Sequence, residues 1–312
     1  MASIQVVDRG RFVHACGGSV IERNLVLTAA HCMKFWQVRP MRIIFGTSYP
    51  TLDGPDRTER NIANFSTHPL YNTEKGKAYY DVAVVVLDEE LDFSDRIRKV
   101  RLPTEAKVDG SHRNGHSATL TGWGEYEPKS GGTPELRHTQ LEIFAEQYCN
   151  KTRFETDSPL VPNLFSSPVF CAGLSLIHNC HYIHFYMKPL EAQSKQVKNI
   201  FCLLGYHAGI TGLSCNGDSG GPLVEFNSTE EHYVQVGIAQ GGTCMSRTKP
   251  AIFSRIEDPD IFEFITKQFR NTIIPTTEAT TTTTTTSIPA TILRTTSLTS
   301  NTTGMATSMP KT

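Results

Sequence analysis

Gly-Asp-Ser-Gly-Gly-Pro, at residues 217–222, is the stretch of this sequence that says most about its fold. A nucleophilic serine presents its hydroxyl to a carbonyl carbon while backbone N–H groups point at the oxyanion that develops. Glycines on both sides of Ser219 permit a tight backbone and leave room for a substrate. Taken alone, the hexapeptide is equally compatible with a glycine-rich surface turn that has no chemistry.

Two further stretches supply the groups that such a serine needs. Residues 26–32, Val-Leu-Thr-Ala-Ala-His-Cys, read as an apolar strand that runs into His31. Residues 80–85, Tyr-Asp-Val-Ala-Val-Val, place Asp81 before another apolar strand, where a buried carboxylate can accept from an imidazole. A lone histidine is usually a packed or solvent-facing residue, and a lone aspartate before a strand is usually a turn residue. The three together, in the order His, Asp, Ser, favour a catalytic triad.

With these motifs the sequence resembles the chymotrypsin-like serine peptidases, over residues 1–271. Other short stretches share the resemblance: 16–19 (Cys-Gly-Gly-Ser), 121–124 (Thr-Gly-Trp-Gly), 170–173 (Phe-Cys-Ala-Gly) and 249–253 (Lys-Pro-Ala-Ile-Phe). The implied fold is all-β, with two six-stranded antiparallel β-barrels at about 1–107 and 108–258. Short apolar or alternating runs broken by Gly, Pro, Asn and Asp agree with it. Asp258 and Pro259 before spaced apolar residues predict a helix over about 259–271.

The resemblance also implies the activity, peptide-bond hydrolysis through an acyl-enzyme. Ser219 would attack the scissile carbonyl, His31 would take its proton and pass it to the leaving amine, and Asp81 would orient His31. The backbone N–H groups of Gly217 and Ser219 would form the oxyanion hole. The complete triad favours this endopeptidase over the alternative, a non-catalytic homologue that acts as a binding or regulatory module.

The substrate pocket departs from that of trypsin-like members of the family. By the resemblance its floor is Leu213 and its walls include Gly242 and Ala251, so no anion is available to hold a Lys or Arg side chain. Burying an unpaired substrate cation over an apolar floor is unfavourable. We therefore expect cleavage after apolar P1 residues.

Eight cysteines and several N-glycosylation motifs favour an oxidising, extracellular setting and a secreted glycoprotein. The motifs begin at Asn64, Asn150, Asn227 and Asn301. The resemblance pairs six cysteines as Cys16–Cys32, Cys149–Cys171 and Cys215–Cys244. Another bridge common in the family would join the positions of Ala118 and Glu225, and neither is a cysteine here.

The N-terminal residues bear on activation. Residues 1–5 do not have the apolar core of a signal peptide, and the resemblance places Met1 inside the mature start of related enzymes. In those enzymes a freed terminal amine pairs with the residue that corresponds to Asp218. We therefore expect the chain as given to resemble a zymogen whose oxyanion hole is poorly formed.

Two segments have no counterpart in the family pattern. Residues 174–204 interrupt a stretch that is continuous in relatives. A retained short intron would explain them, and so would a genuine loop with a Cys180–Cys202 bridge. The histidines and cysteine at His178, Cys180, His181 and His184 lack the second paired half of a zinc site, so we expect no metal. Residues 272–312 are rich in Thr and predict a disordered tail, O-glycosylated or an unmodified linker.

The composition limits the classes of partner that we expect for this protein. Lys and Arg number 30 and Asp and Glu 31, for a net charge of −1, so no strongly basic balance indicates nucleic acid. The longest apolar run, residues 82–87, is far shorter than the ~20 residues that span a bilayer. We expect a monomer without cofactors, with polypeptide substrates and protein protease inhibitors as partners.

Overall fold

The computed structural model describes residues 1–54, 56–71, 79–125, 132–154, 168–174, 215–242 and 250–273. The strands of the first sheet are β1 (Ala2–Asp8), β2 (Arg11–Glu22), β3 (Leu25–Thr28), β4 (Met41–Phe45), β5 (Thr58–Arg60), β6 (Ile62–Thr67) and β7 (Ala83–Leu87). Those of the second are β8 (Ser117–Gly122), β9 (Arg137–Ile143), β10 (Val169–Gly173), β11 (Pro222–Asn227), β12 (His232–Gly241) and β13 (Ala251–Arg255). The helices are α1 (Ala30–Trp36), α2 (Glu146–Phe154) and α3 (Pro259–Ile273).

The strands form two antiparallel sheets, which confirms the predicted mostly-β, trypsin-like fold. The second sheet is a closed barrel of six strands in the order β10-β13-β12-β11-β8-β9. The first has seven strands in the order β5-β4-β1-β2-β3-β7-β6. Its edge strands, β5 and β6, do not pair with each other, so this half of the fold is an open half-barrel among the described residues.

The core of the first sheet is densest around β3 and β7, the strands that matter most for function. All four residues of β3 are buried, because the strand pairs with β2 on one side and with β7 on the other. Leu25 and Leu27 are fully buried together with Val85. Both faces of β3 are therefore covered, and its side chains pack in the same core as those of β7.

Helix α3 closes the described chain and begins as its sequence predicts. The side chain of Asp258 caps it: Oδ1 accepts from the N–H groups of Asp260 (3.1 Å) and Ile261 (3.2 Å). Its apolar face, with Ile261, Phe264 and Ile265, belongs to the core of the first sheet. No helix among the described residues is long and apolar enough to cross a membrane.

A charged cluster lies where the family's additional disulfide would be. β8 and β11 pair Thr119 with Val224, so Ala118 and Glu225 are the next pair along the ladder. Glu225 there accepts a hydrogen bond from Arg113. The same guanidinium donates twice to Glu257, from Nε at 2.8 Å and from Nη2 at 2.6 Å, and the Glu257 side chain is 3% exposed. Arg113 thus joins two carboxylates of the second half of the fold.

Replacing Arg113 with Met should destabilise the protein by about 3 kcal/mol at pH 7, because two largely buried carboxylates lose the guanidinium that they share. The imidazoles of His112 and His116 stay beside them, at 3.1 Å from Glu257 and 3.6 Å from Glu225. Although burial opposes it, hydrogen bonds from Arg113 hold the pKa of Glu257 below its ordinary value. A depressed carboxyl pKa contributes stability above the unfolded-state pKa that is lost as the pH falls through the folded-state pKa. The difference between Arg113→Met and the parent should therefore shrink as the pH falls below about 4.

Urea unfolding followed by tryptophan fluorescence at a series of pH values measures this difference. Arg98→Met is the matched control, since Arg98 and its partner Asp95 are both mostly exposed. The control should change the free energy of unfolding by less than about 0.5 kcal/mol. Equal effects of the two substitutions would contradict the assignment.

Candidate active site

Pairing of β3 with β7 brings His31 and Asp81 together. The ladder joins Thr28 to Ala83, so the residues after β3 and before β7 lie at the same end of the sheet. The pattern before His31 suggests a strand that continues into it, but β3 ends at Thr28 and His31 is the second residue of α1. This change from strand to helix turns the imidazole toward Asp81.

His31 and Asp81 make two hydrogen bonds. The Nδ1 atom of His31 lies 2.6 Å from Oδ2 of Asp81, and the His31 backbone N–H donates to Oδ1 at 2.8 Å. The Asp81 side chain is 1% exposed and that of His31 is 33% exposed. A buried carboxylate at Nδ1 holds the proton on that nitrogen, which leaves Nε2 as the basic atom. The pair can therefore accept a proton at Nε2.

The backbone of Asp81 is held from the second barrel. The Ser254 hydroxyl on β13 donates to the Asp81 carbonyl at 3.0 Å. The side-chain amide of Gln240 on β12 donates in turn to the Ser254 hydroxyl at 2.8 Å. Since Ser254 is fully buried, this chain of hydrogen bonds ties the carboxylate's position to the second barrel.

Tyr80, the residue before Asp81, has an unusual backbone with φ of +55°. A bulky residue in this left-handed region costs about 1–3 kcal/mol, so neighbouring contacts must hold it there. Its ring stacks on His68 with centroids 4.7 Å apart, and its hydroxyl donates to Asp260 of α3 at 3.0 Å. Burial, and then that hydrogen bond, raise the pKa of Tyr80 to about 12, so the hydroxyl stays protonated as a donor.

Ser219 lies in a loop anchored to both sheets. Its carbonyl accepts from the N–H of Gly17 on β2 at 2.7 Å, and the N–H of Gly220 donates to the Ala239 carbonyl on β12 at 2.7 Å. The Ser219 hydroxyl donates to the Gln240 carbonyl at 3.2 Å. Within the described part of the chain, no hydrogen bond joins this hydroxyl to His31.

The loop around Ser219 can approach β3 only because residue 220 is a glycine. Its φ is +79°, and a Cβ atom there would lie 2.2 Å from Oγ1 of Thr28 and 2.5 Å from the Gly17 carbonyl oxygen. Thr28 is the last residue of β3, two residues before α1 begins. The close approach therefore places Ser219 beside the strand that leads to His31.

Asp218 turns its carboxylate away from Ser219, toward the turn after β8. Its Oδ1 accepts from the Gly124 N–H and its Oδ2 from the Cys215 N–H, each at 2.9 Å. Burial raises the pKa of Asp218 to about 6 despite these two bonds. The carboxylate is thus charged at neutral pH with backbone N–H groups around it.

His14, which the sequence analysis did not single out, contacts the same loop. Its Nε2 lies 2.9 Å from the Gly217 carbonyl and its Nδ1 2.8 Å from the Ser3 hydroxyl. Burial lowers the pKa of His14 to about 4, so the ring is neutral at neutral pH. A carbonyl only accepts, so Nε2 carries the proton and Nδ1 accepts from Ser3.

Two other predicted site residues, Gly242 and Ala251, lie at the same end of neighbouring strands, because the β12–β13 ladder pairs Gly241 with Ile252. Gly242 is exposed just after β12, and Ala251 is 1% exposed in the core of the second barrel. Gly217, with a φ of +98°, precedes Asp218. Leu213, the proposed pocket floor, lies outside the described residues, as do residues 175–204, with their histidines and cysteines, and the tail after residue 273.

The structure joins Cys16 to Cys32 and Cys149 to Cys171. Cys215 is also disulfide-bonded, and its expected partner Cys244 lies outside the described residues. Cys16, Cys32 and His31 form a cluster of potential metal ligands. Because both sulfurs are in a disulfide, the cluster cannot supply thiolates to a metal.

Ser254→Ala should lower the free energy of unfolding by about 1–3 kcal/mol, because the buried Asp81 carbonyl and Gln240 amide lose their shared partner. Chemical denaturation measures the loss. Ser117→Ala, at an exposed position of β8, is the control and should stay within about 0.5 kcal/mol of the parent. A Ser254→Ala protein as stable as the control would show that the connection contributes nothing.

Comparisons with known proteins agree with this geometry. The family model described as Trypsin matches residues 1–181 and 186–261. Hypodermin-A of Hypoderma lineatum is 28% identical over 242 residues, which are 77% of this chain and 73% of that protein. Trypsin alpha-4 of Lucilia cuprina is 29% identical over 213 residues, 68% of this chain and 63% of that protein.

A human relative, transmembrane protease serine 11A, is 25% identical over 245 residues. These are 78% of this chain but 47% of the human protein, so the chain spans about half of that relative's length. The family model covers far more than half of the chain. By that match, and with His31, Asp81 and the Ser219 loop placed as described, the chain belongs to the trypsin family of serine peptidases.

Proposed function

We propose that this protein is a serine endopeptidase in which Ser219, His31 and Asp81 form the catalytic triad. The observation that carries the proposal is the His31–Asp81 pair, joined at 2.6 Å with its carboxylate almost completely buried. Such a pair leaves His31 Nε2 as a base in a partly exposed site next to a serine loop. A purely structural histidine would not need a buried carboxylate at Nδ1; Nε2 here lies 3.6 Å from the disulfide-bonded sulfur of Cys32.

The reaction follows from these positions. The Ser219 Oγ bonds to the scissile carbonyl carbon while its proton moves to His31 Nε2, and the oxyanion accepts from the Gly217 and Ser219 N–H groups. The C–N bond then breaks as His31 gives the proton to the leaving amine. Water then attacks the acyl carbon while His31 takes a proton from it. The bond from this carbon to Ser219 Oγ breaks as His31 returns the proton to Oγ, and the carboxylic acid product leaves. Asp81 stabilises the imidazolium at each transfer.

The Ser219 hydroxyl must rotate before it can react, because it donates to the Gln240 carbonyl. We infer that Asp218 is linked to this change, since it is adjacent to Ser219 and its carboxylate has backbone N–H groups as partners. Burial raises the pKa of Asp218 to about 6, so the binding of a cation next to this carboxylate would be favourable. A zymogen requires such a change, in which the Ser219 hydroxyl turns from an inactive to a reactive orientation.

The substrate is a polypeptide, and apolar P1 residues are the proposed preference. This rests on Leu213, Gly242 and Ala251 as the residues around the P1 side chain. The cysteine pairs and glycosylation motifs support secretion. A non-catalytic binding module is the alternative, and in the structure the hydrogen bond from the Ser219 hydroxyl to the Gln240 carbonyl favours it. Labelling of Ser219 by a fluorophosphonate probe distinguishes the two.

Ser219→Ala in the activated protein should lower kcat by on the order of 10⁴-fold or more, because the nucleophile is lost. Hydrolysis of a peptide amide measures the effect, and urea unfolding should show an unchanged fold. Ser228→Ala, at the exposed tip of the β11–β12 hairpin, should retain full activity. More than a few per cent of activity in Ser219→Ala would rule out its role as nucleophile.

A peptide library varied only at P1 tests the pocket. Leu, Met, Phe or Tyr at P1 should be cleaved best, since burying such a side chain contributes roughly 1.5–3 kcal/mol. Leu213→Asp should shift the preference toward Lys and Arg by supplying the absent anion. A parent enzyme that cleaves mainly after Arg or Lys would refute the pocket assignment.

A further inference from the structure

An exposed surface beside the active site combines aromatic, aliphatic and basic side chains. It consists of the end of α1, the turn after it, and the tip of the β1–β2 hairpin. Its members, called here the basic–aromatic face, are Arg9, Arg11, Lys34, Phe35, Trp36, Val38 and Arg39.

Contacts between the two segments make this face continuous. The Val7 N–H on β1 donates to the Pro40 carbonyl at 3.1 Å. The Arg39 guanidinium donates to the Val7 carbonyl and to Asp8, each at 3.3 Å, and lies over the Trp36 ring at 5.1 Å. The hairpin and the turn after α1 therefore present one surface.

Phe35 and Val38 are unusually exposed for their type. Their exposed fractions are 70% and 85%, and Phe35 contacts Trp36 edge-on with ring centroids 4.5 Å apart. Scattered apolar side chains on a surface are ordinary, but a group of them rimmed by charge marks an interaction site. Here the group is close in sequence and held on one helix and the turn after it.

The charges on this face are nearly all positive. Arg9, Arg11, Lys34 and Arg39 are exposed, and Asp8 is the acid among them, paired with Arg39. The whole chain has a net charge of −1, so the face is a local excess of cations. Charge complementarity selects an acidic partner.

The position of the face relative to His31 identifies which acidic partner fits. Phe35 is four residues after His31 on α1, and residues i and i+4 lie on the same side of a helix. In the proposed reaction His31 protonates the leaving amine. The substrate residues that follow the scissile bond would therefore begin near His31, on the side of α1 that also has Phe35.

We propose that the basic–aromatic face binds the part of a polypeptide substrate that follows the scissile bond, and that it selects acidic segments with an apolar or aromatic residue. Phe35 and Val38 contact the apolar residue, while Lys34 and Arg11 attract the acidic ones. This substrate preference rests on the proposed endopeptidase function.

The test uses internally quenched peptides that share one sequence before the scissile bond. After it they carry Asp-Phe-Glu, Ser-Phe-Ser or Lys-Phe-Lys. We expect kcat/KM to be about threefold to tenfold higher for the acidic peptide than for the neutral one at low salt, as a few exposed ion pairs allow. At about 0.5 M salt the ratio should fall toward one, because exposed charges are screened.

Two double charge-reversal variants test whether the basic residues of the face cause the preference for the acidic peptide. Arg11→Glu with Lys34→Glu should abolish the preference for the acidic peptide or reverse it. Lys267→Glu with Arg270→Glu changes the net charge equally at exposed positions of α3 and should retain the preference. Phe35→Ser should lower kcat/KM for all three peptides while leaving their ratios unchanged.

Two further assays separate this proposal from the proposed function. A coumarin amide with no residues after the scissile bond reports on the triad alone, and its hydrolysis should be equal in all these variants. Its absence in the activated parent would refute the peptidase. Fluorescence anisotropy of the same peptides with Ser219→Ala measures binding without turnover, and equal binding of the three peptides would refute the role of the face. Binding of heparin, a polyanion that is not a peptide, to the face without any preference among the three peptides would also refute this role.

Discussion

The antiparallel ladder between β3 and β7 is the interaction on which the site depends. Leu25 and Leu27 pair with Val86 and Val84, and these side chains belong to, or pack against, the core of the first sheet. Once the register is fixed, the residue pairing at the end of the ladder, Thr28 with Ala83, places α1 and Asp81 side by side. The 2.6 Å contact between His31 and Asp81 is thus set by core packing some residues away. Loss of that register would separate the two groups even if neither changed.

Contacts between the two sheets hold Ser219, the proposed nucleophile, on the same side of the fold as this pair. Gly17 and Gly220 allow the backbones of β2 and the Ser219 loop to meet, while Ser254 and Gln240 hold the Asp81 backbone from β12 and β13. The proposed triad therefore has one member in a loop of the second barrel and two beside the first sheet. Ser219 and Asp81 are each attached to the other half by a hydrogen bond to their backbone carbonyl, which does not involve their proposed reacting atoms.

Much of the fold follows from local sequence patterns. The strands around residues 43–45, 82–87, 118–120 and 233–239, and helix α3 with its Asp258 cap, depend on short-range periodicity and capping that one segment contains. Helices α1 and α2 were not predicted. The strand-like Val-Leu-Thr before Ala30 gives no sign that a short helix follows, and α1 is only seven residues long. The triad stays a prediction, and what indicates it in the sequence is that three separate motifs occur in the order His, Asp, Ser.

The contacts around the triad could not be predicted in the same way. Ser254 meets Asp81 across 173 residues of sequence, and His14 meets Gly217 across 203. A serine or histidine in such a position has no local pattern that distinguishes it from a surface residue. These partners become visible only when the register of both sheets is known.

The charged cluster around Arg113 changes what kind of bond secures this part of the second barrel. Relatives that use a covalent bridge there must find the correct thiol partner during secretion, and a reductant can open it. Here Arg113 and Glu225 need no oxidant and no isomerase, and they can reform each time the neighbouring strands meet. At this point of the second barrel the link therefore forms without oxidation of sulfur, whereas Cys149 and Cys171, in the same half of the fold, are joined by a disulfide.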